Sequence, residues 1–206
     1  MTTDPDILAT PLFSEDWERA QRPDEWSFPK GIARDRMIGL SMDTRSLGDQ
    51  YFEAAEAIIS LVMKNDVPDY TVSNPILYLY RHAIELFLKA AIEKQSGKPY
   101  RWPKGKTGHE LDLIVQSAPH LSAEARSRIL ELHAIDPKST HLRFGCTGIP
   151  GSEGWAEMTE FRDSMQALRT HLIGLIDRLN SKSVGRSQSN QFATHGANQT
   201  SFPGHK

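Results

Sequence analysis

The chain of 206 residues contains one cysteine, Cys146, and this scarcity excludes several classes of protein. A single cysteine can form neither an intramolecular disulfide nor a paired-cysteine zinc site. The first thirty or so residues also lack the basic start and the apolar run of a secretory signal. We therefore expect a cytoplasmic protein in a reducing environment.

Long apolar stretches and a positive net charge are missing as well. A bilayer-spanning helix needs about 20 consecutive apolar residues, and Arg81, Glu85 and Lys89 interrupt the most apolar segment of this chain. The net charge is −2, and the residues from 181 onward contain three cations and no acid, so the acidic excess lies before them. We expect neither a membrane protein nor a duplex-DNA binder with a broad basic face.

Motifs that hold phosphates, nucleophiles or metals are also lacking. No segment matches a phosphate-cradling glycine loop or a nucleophile elbow. His133, Asp136 and His141 have metal-binding side chains, but their loop contains Pro137 and offers no partner that would orient them. The expectation is therefore that the protein holds no metal and no cofactor.

What the sequence does contain is apolar residues at helical spacing, interrupted by capping residues and breakers. Ser73 or Asn74 is the expected cap of the second helix, with Pro75 at its first position and Gly97 at its end. The other expected N-terminal signals are the Thr107–Glu110 capping box and Ser122. The five predicted helices cover about residues 45–64, 72–95, 107–117, 123–135 and 154–180.

These elements predict an all-α, up-and-down bundle of about five helices over residues 44–181. Residues 1–43, with four prolines among bulky aromatics, are expected to form an irregular N-terminal arm or, alternatively, a flexible leader. Residues 182–206 are too polar to offset their ordering entropy and are expected to form a disordered tail. The apolar seam from Met158 to Leu179 either closes the bundle or forms a dimer interface.

A charged stripe on the second helix is the first candidate site. Arg81, Glu85 and Lys89 alternate in sign at intervals of four residues, a pattern typical of a solvated helix face. Arg81 nevertheless borders apolar residues, where an arginine needs a carboxylate or an anionic ligand, and Glu85 is its expected partner. His82 lies beside the stripe and is expected to be structural rather than catalytic.

The loop after this helix is the second candidate. Between Gly97 and His109, cations alternate with aromatic residues and no acid intervenes; the set is Lys98, Tyr100, Arg101, Trp102, Lys104 and Lys106. Cations that neutralise phosphates beside rings that stack on bases are typical of single-stranded nucleic acid binding. The alternative is a solvated loop whose aromatic rings pack back onto the domain.

Several segments resemble proteins of the HEPN superfamily. They are Tyr80–Ala90, Gly108–Leu111, Asp136 and His141–Phe144, and the resemblance covers about residues 45–180. Many members are metal-independent ribonucleases of toxin–antitoxin, phage-defence and RNA-processing systems, with an arginine and a histidine four to six residues apart. The resemblance implies catalytic roles for Arg128 and His133, in which the histidine moves protons and the arginine stabilises charge on phosphorus.

Other members of that superfamily lack the motif and act as binding or assembly modules. Ile129 follows Arg128 here, where active members usually have a small polar residue. The expected partners are RNA or a nucleotide, a second copy of the chain, or an antitoxin or other partner protein. The binding residues expected in this case are Arg81, His82, Glu85, Lys89, Arg101, Lys104, Lys106, His109, His141 and Arg143. Arg81, Glu85 and Arg143 would form a buried polar core that positions the loop.

Overall fold

The computed structural model of the protein describes residues 43–144 and 155–195, with side chains defined for 43–143 and 155–181. Over these residues the chain is helical without strands, which confirms the predicted all-α bundle. The described helices are α1 (Thr44–Met63), α2 (Asp69–Ser96), α3 (Leu111–Ser117), α4 (Ala123–Ile135), α5 (His141–Phe144) and α6 (Met158–His195). The predicted N-terminal arm lies outside the described residues except for Asp43.

Helix α1 begins where a side chain caps its first turn. The Asp43 carboxylate accepts a hydrogen bond from the Ser46 backbone N–H at 2.7 Å, and the adjacent Thr44 is the first helical residue. The side chains of Phe52, Ala55 and Ile59 recur at steps of three and four and are fully buried. This stripe packs α1 along α2.

Helix α2 begins one turn earlier than the sequence predicted. It starts at Asp69, so the expected cap at Ser73 or Asn74 is wrong, and Pro75 lies inside the helix. Pro75 is the seventh residue of the helix, beyond the first turn in which N–H groups lack an intrahelical acceptor, so one intrahelical hydrogen bond is lost there. The predicted end is confirmed, because Gly97 adopts the left-handed conformation with φ 69°.

Helix α2 is the centre of the bundle. The stretch 80–92 is buried on nearly every side, and α1, α3, α5 and α6 all pack against the helix. Two charged residues are included in this buried surface, Arg81 and Glu85. A buried charge needs a partner, so a polar site is expected around these two residues of α2.

The segment after α2 contains three short helices. Thr107 and Glu110 interact, since the Glu110 carboxylate accepts bonds from the Thr107 hydroxyl and the Gly108 N–H, both at 3.1 Å. The predicted capping box at the start of α3 is nevertheless wrong, because the helix begins at Leu111 with Glu110 as its N-cap and without a side-chain cap bond. The predicted cap at Ser122 is confirmed by its 3.2 Å bond from the Ala125 N–H. Helix α5 was not expected, because its four residues lie in the segment predicted to be a loop.

Helix α6 closes the bundle with the predicted seam. Met165, Leu168, Leu172 and Leu175 are all buried within the same chain, and the residues at both ends of the seam are partly buried. A charged substitution at Leu168 or Leu172 would therefore disrupt the core and would not report on dimerisation. The homodimer stays a prediction.

The structure differs from the prediction at the end of α6. The helix continues through residues 182–195, which the sequence analysis assigned to the disordered tail. A helix already formed adds a residue at little cost, and this stretch contains no proline. No described helix combines the length and the apolar composition that a bilayer crossing requires.

Candidate functional site

Glu85 is the centre of a polar cluster, which we call the Glu85 cluster, in which Arg81 and Glu85 are buried and Lys89 and His109 are partly exposed. It consists of Arg81, Glu85, Lys89 and His109. The Arg81 Nη1 lies 3.3 Å from Oε2 of Glu85, and the Lys89 Nζ lies 2.7 Å from Oε1. His109 Nδ1 lies 2.8 Å from the same Oε1. Glu85 itself is fully buried, so three donors replace the water that its carboxylate has lost.

The electrostatics of the cluster favour an ionised Glu85. Burial raises the pKa of its carboxyl, but hydrogen bonds and charge from Lys89 and then His109 outweigh burial, so the pKa lies below its ordinary value. Burial lowers the pKa of Arg81, against the raising effect of Glu85 and Asp136. Because an ionised carboxylate only accepts hydrogen bonds, the proton of His109 must lie on Nδ1.

The cluster also holds the chain that follows α2. Arg81 Nη2 donates to the backbone carbonyl of His109 at 2.7 Å, across 28 residues of sequence. The Arg81 Nε is buried without a hydrogen-bond partner. The predicted pairing of Arg81 with Glu85 is present. The same guanidinium also fixes the loop before α3 to the centre of α2.

His82 lies beside the cluster and contacts aromatic rings. Its ring stacks on Tyr78 with centroids 5.7 Å apart and meets the edge of Tyr51 at 4.4 Å. Burial lowers the pKa of its imidazole, and the neighbouring Glu85 opposes that shift. A neutral, half-buried histidine between two tyrosines matches the structural role that the sequence suggested.

Asp136 caps the short helix α5. Its carboxylate accepts hydrogen bonds from the backbone N–H groups of Thr140, His141 and Leu142 at 2.9, 3.2 and 3.1 Å. The residues described in the structure contain no cluster of histidine, cysteine and acidic side chains suited to a metal. The Nδ1 of His141 is buried without a hydrogen-bond partner. Arg143 is exposed, so the expectation that it joins Arg81 and Glu85 in a buried polar core is wrong.

The segment 97–109, which we call the basic loop, presents its cations outward. Lys98, Arg101, Lys104 and Lys106 are all exposed, and none forms an ion pair with any described residue. Tyr100 is partly buried against the core, with the Lys89 ammonium 5.9 Å from its ring centre. One of the two predicted aromatic residues thus packs back onto the domain.

The second aromatic residue of the basic loop stays at the surface. Trp102 is 51% exposed, and its indole packs on Gly108. A Cβ added at Gly108 would lie 2.5 Å from Cε3 and 2.6 Å from Cδ2 of that indole. Ordinary van der Waals contact needs more than 3.4 Å, so only glycine fits this position.

Arg128 and His133 have separate partners on α4. The Arg128 guanidinium lies 2.6 Å from the Glu131 carboxylate, and both side chains are more than half exposed. The Nδ1 of His133 is buried and lies 3.7 Å from Oδ1 of Asp112. Five residues on a helix correspond to a rotation of about 140°, so the two side chains leave α4 in different directions.

A cleft lies where the basic loop leaves α2. Its volume is about 420 Å³, and its lining includes Asp43, Glu93, Lys94 and Lys98. Glu93 also accepts a hydrogen bond from the Thr44 hydroxyl at 2.9 Å. Charges of both signs line this cleft, so it does not select for an anion.

Comparisons with known proteins found no family model, no curated protein and no solved structure that matches the chain. The resemblance to HEPN proteins therefore stays a prediction that rests on the segments quoted for it. Helical spacing in the sequence predicts that Arg81, Glu85 and Lys89 share one face of a helix. The contacts of His109 with Glu85 and of Trp102 with Gly108 were not predicted, since both depend on the path of the loop.

Proposed function

We propose that this protein binds single-stranded RNA through the basic loop. The observation that carries the proposal is the exposure of Lys98, Arg101, Lys104 and Lys106 without an ion pair to any described residue. Elsewhere on the described surface, arginines commonly have acidic partners, as Arg45 has Asp177 at 2.7 Å. Uncompensated cations on one loop attract the phosphates of a nucleic acid backbone.

The charge of the rest of the chain supports a single strand as the ligand. A duplex presents phosphates over a broad surface, whereas the cations here are confined to one short loop on an otherwise acidic domain. Single-stranded nucleic acid needs only a local run of cations with an aromatic ring beside it. The resemblance to HEPN proteins favours RNA over DNA.

The basic loop is anchored at both ends, which supports a binding role over that of a loose connector. Gly97 ends α2, and the Glu110 carboxylate holds the Thr107 N–H at 3.3 Å. Arg81 adds its 2.7 Å bond to the His109 carbonyl. A loop that is already ordered loses less conformational entropy on binding.

The geometry supports RNA binding better than RNA cleavage by Arg128 and His133. A catalytic pair needs both side chains to reach one phosphate, and here Arg128 pairs with Glu131 while His133 is directed toward Asp112. Binding through the basic loop needs no such convergence. A role in stress or defence systems, as the resemblance implies, would then depend on recognition of RNA.

The test is the affinity for a short, unstructured, labelled RNA, measured by fluorescence anisotropy over a range of salt concentrations. We expect Lys104→Ala and Lys106→Ala each to weaken binding and to reduce the slope of log K against log salt by about 0.7. The matched control is Lys64→Ala. Lys64 is exposed and lies at the other end of α2, about 40 Å away at 1.5 Å per residue.

Two results would contradict the proposal. One is a wild-type protein that does not bind the RNA at low salt. The other is a loss of affinity in Lys64→Ala equal to that in Lys104→Ala, which would indicate an unspecific effect of net charge.

A further inference from the structure

We infer that Trp102 is a stacking platform for an unpaired nucleobase, so the basic loop recognises bases as well as phosphates. This inference rests on the proposed function and adds the chemical group that the loop recognises. Gly108 covers one face of the ring, and 51% of the residue is exposed. Three features of the loop lead to this assignment.

The first feature is the contact between Gly108 and the indole. The three atoms closest to a Cβ at Gly108 are Cε3, Cδ2 and Cγ of Trp102, at 2.5, 2.6 and 3.1 Å. No point in the plane of the indole satisfies all three distances, so Gly108 lies over one face of the ring. The backbone of Gly108 is buried by this contact.

The second feature is that only glycine fits at position 108. Gly108 has φ 78°, a conformation that L side chains rarely adopt, and the space for a Cβ is filled by the indole. The Gly108 N–H is bonded to the Glu110 carboxylate at 3.1 Å, which fixes the peptide under the ring. The position of Trp102 is therefore set by the backbone and does not depend on a flexible neighbour.

The third feature is the exposure of the ring, with cations close to it in sequence. Trp102 is 51% exposed and forms no aromatic pair with another described residue, so about half of its surface is accessible while Gly108 covers one face. A turn follows at once, closed by the 3.1 Å bond from the Lys106 N–H to the Pro103 carbonyl. Gly105 has φ 82° at its third position, as a type II turn requires.

These features match the requirements of single-strand recognition. Lys104 and Lys106 follow Trp102 by two and four residues within this turn, and Arg101 directly precedes it. A base stacked on Trp102 would have its own phosphates beside these cations. A paired base in a duplex has both faces covered by its neighbours and cannot stack on the indole. The loop is thus suited to an unpaired base flanked by its backbone.

The experiment compares two RNAs that differ only in their bases. One is an unstructured oligonucleotide, and the other has the same length and phosphates with abasic sites throughout. We expect Trp102→Ala to weaken binding of the first RNA about 5- to 100-fold and to leave the abasic RNA unaffected. Trp102→Phe, which keeps an aromatic face, should retain most of the affinity.

Matched variants separate this effect from others. Trp155→Ala removes a tryptophan that is 88% exposed and lies outside the loop, and it should bind both RNAs like the wild type. Lys104→Ala should weaken the binding of both RNAs by the same factor, because it removes a cation that contacts phosphate. Thermal unfolding followed by circular dichroism checks that each variant is folded.

The outcomes distinguish the two proposals. If Trp102→Ala weakened the binding of both RNAs equally, or of neither, the stacking role would be overturned. Phosphate binding by Lys104 would remain in place. Failure of the wild type to bind either RNA would overturn the proposed function itself. Gly108→Ala gives a second measurement, since displacement of the ring should reproduce the selective loss of the base-containing RNA.

Discussion

Arg81 and Glu85 form an ion pair one turn apart on α2, and neither side chain is more than 1% exposed. Burial of two charges costs several kcal/mol for each ion, and their attraction offsets this only if the remaining hydrogen-bond groups are also satisfied. Lys89 and His109 satisfy the other carboxylate oxygen of Glu85, whereas the Arg81 Nε is left without a hydrogen-bond partner. The stability of α2 and of the basic loop therefore depends on the same four side chains.

Removal of the charge on Glu85 should be strongly destabilising. We expect Glu85→Gln to lower the free energy of unfolding by about 3–5 kcal/mol, because Arg81 would remain buried without the carboxylate to which it is bonded. Urea unfolding measures this effect. A double-mutant cycle with Arg81→Met should show a coupling energy, since the second substitution removes the charge left unpaired by the first.

The control for this prediction is an ion pair at the surface. Arg128 and Glu131 approach to 2.6 Å, closer than Arg81 and Glu85, but both are more than half exposed. Exposed pairs contribute about 0–1 kcal/mol. If Glu131→Gln cost as much as Glu85→Gln, burial would not be what determines the strength of these pairs.

Two glycines within helices should respond to alanine in opposite directions. A Cβ at Gly48 in α1 would lie 2.8 Å from Cε1 of Phe87, whereas a Cβ at Gly174 in α6 would meet only Arg178 Nη1, at 3.5 Å. We expect Gly48→Ala to destabilise the protein by about 1–3 kcal/mol through overpacking. Gly174→Ala should stabilise it by about 0.5–1 kcal/mol, as helix propensity predicts. Stabilisation by both substitutions would show that α1 and α2 are not in close contact at Gly48.

These contacts show how far the sequence determined the fold. The capping signal at Ser122 and the end of α2 at Gly97 are local, and both were predicted correctly. The start of α2 was not, because Pro75 indicated a first helical position, whereas the structure places it inside the helix despite the cost of an interior proline. The close approach at Gly48 depends on a neighbouring helix, so no local pattern reports it.

The candidate site was predictable to a similar extent. Helical spacing placed Arg81 and Glu85 on one face, and the surrounding apolar residues indicated their burial. The contact of His109 with Glu85 spans 24 residues and needs the path of the basic loop. The local sequence Gly108-His109-Glu110 predicts neither that contact nor the packing of Trp102 on Gly108.

The protonation of His82 should make stability depend on pH. Its pKa in the folded protein lies below the ordinary value of 6.5, mainly because the imidazole is half buried. The unfolded chain therefore binds a proton at a higher pH than the folded chain does. The contribution of neutral His82 to stability is fully present above about pH 6.5 and is lost as the pH falls toward the pKa of His82 in the folded protein.

Thermal unfolding between pH 8 and pH 5 tests the role of His82, with His82→Gln as the comparison. Glutamine cannot be protonated, so the decrease in stability below about pH 6.5 should be smaller in this variant. The charged groups next to His82 are Arg81, Glu85, Lys89 and His109, and they are unchanged. Identical pH dependence in the two proteins would assign the effect to another group.

Asp136 should be a structural residue and not a metal ligand. Its carboxylate is buried and accepts three backbone N–H bonds at the start of α5, so Asp136→Ala would leave those donors without a partner. We expect a loss of about 2–4 kcal/mol in the free energy of unfolding. Asp43→Ala, which removes a cap with a single backbone bond at the surface, should cost only about 1 kcal/mol. Added zinc or EDTA should leave the melting temperature of the wild type unchanged, whereas stabilisation by zinc that Asp136→Ala abolishes would make this carboxylate a ligand.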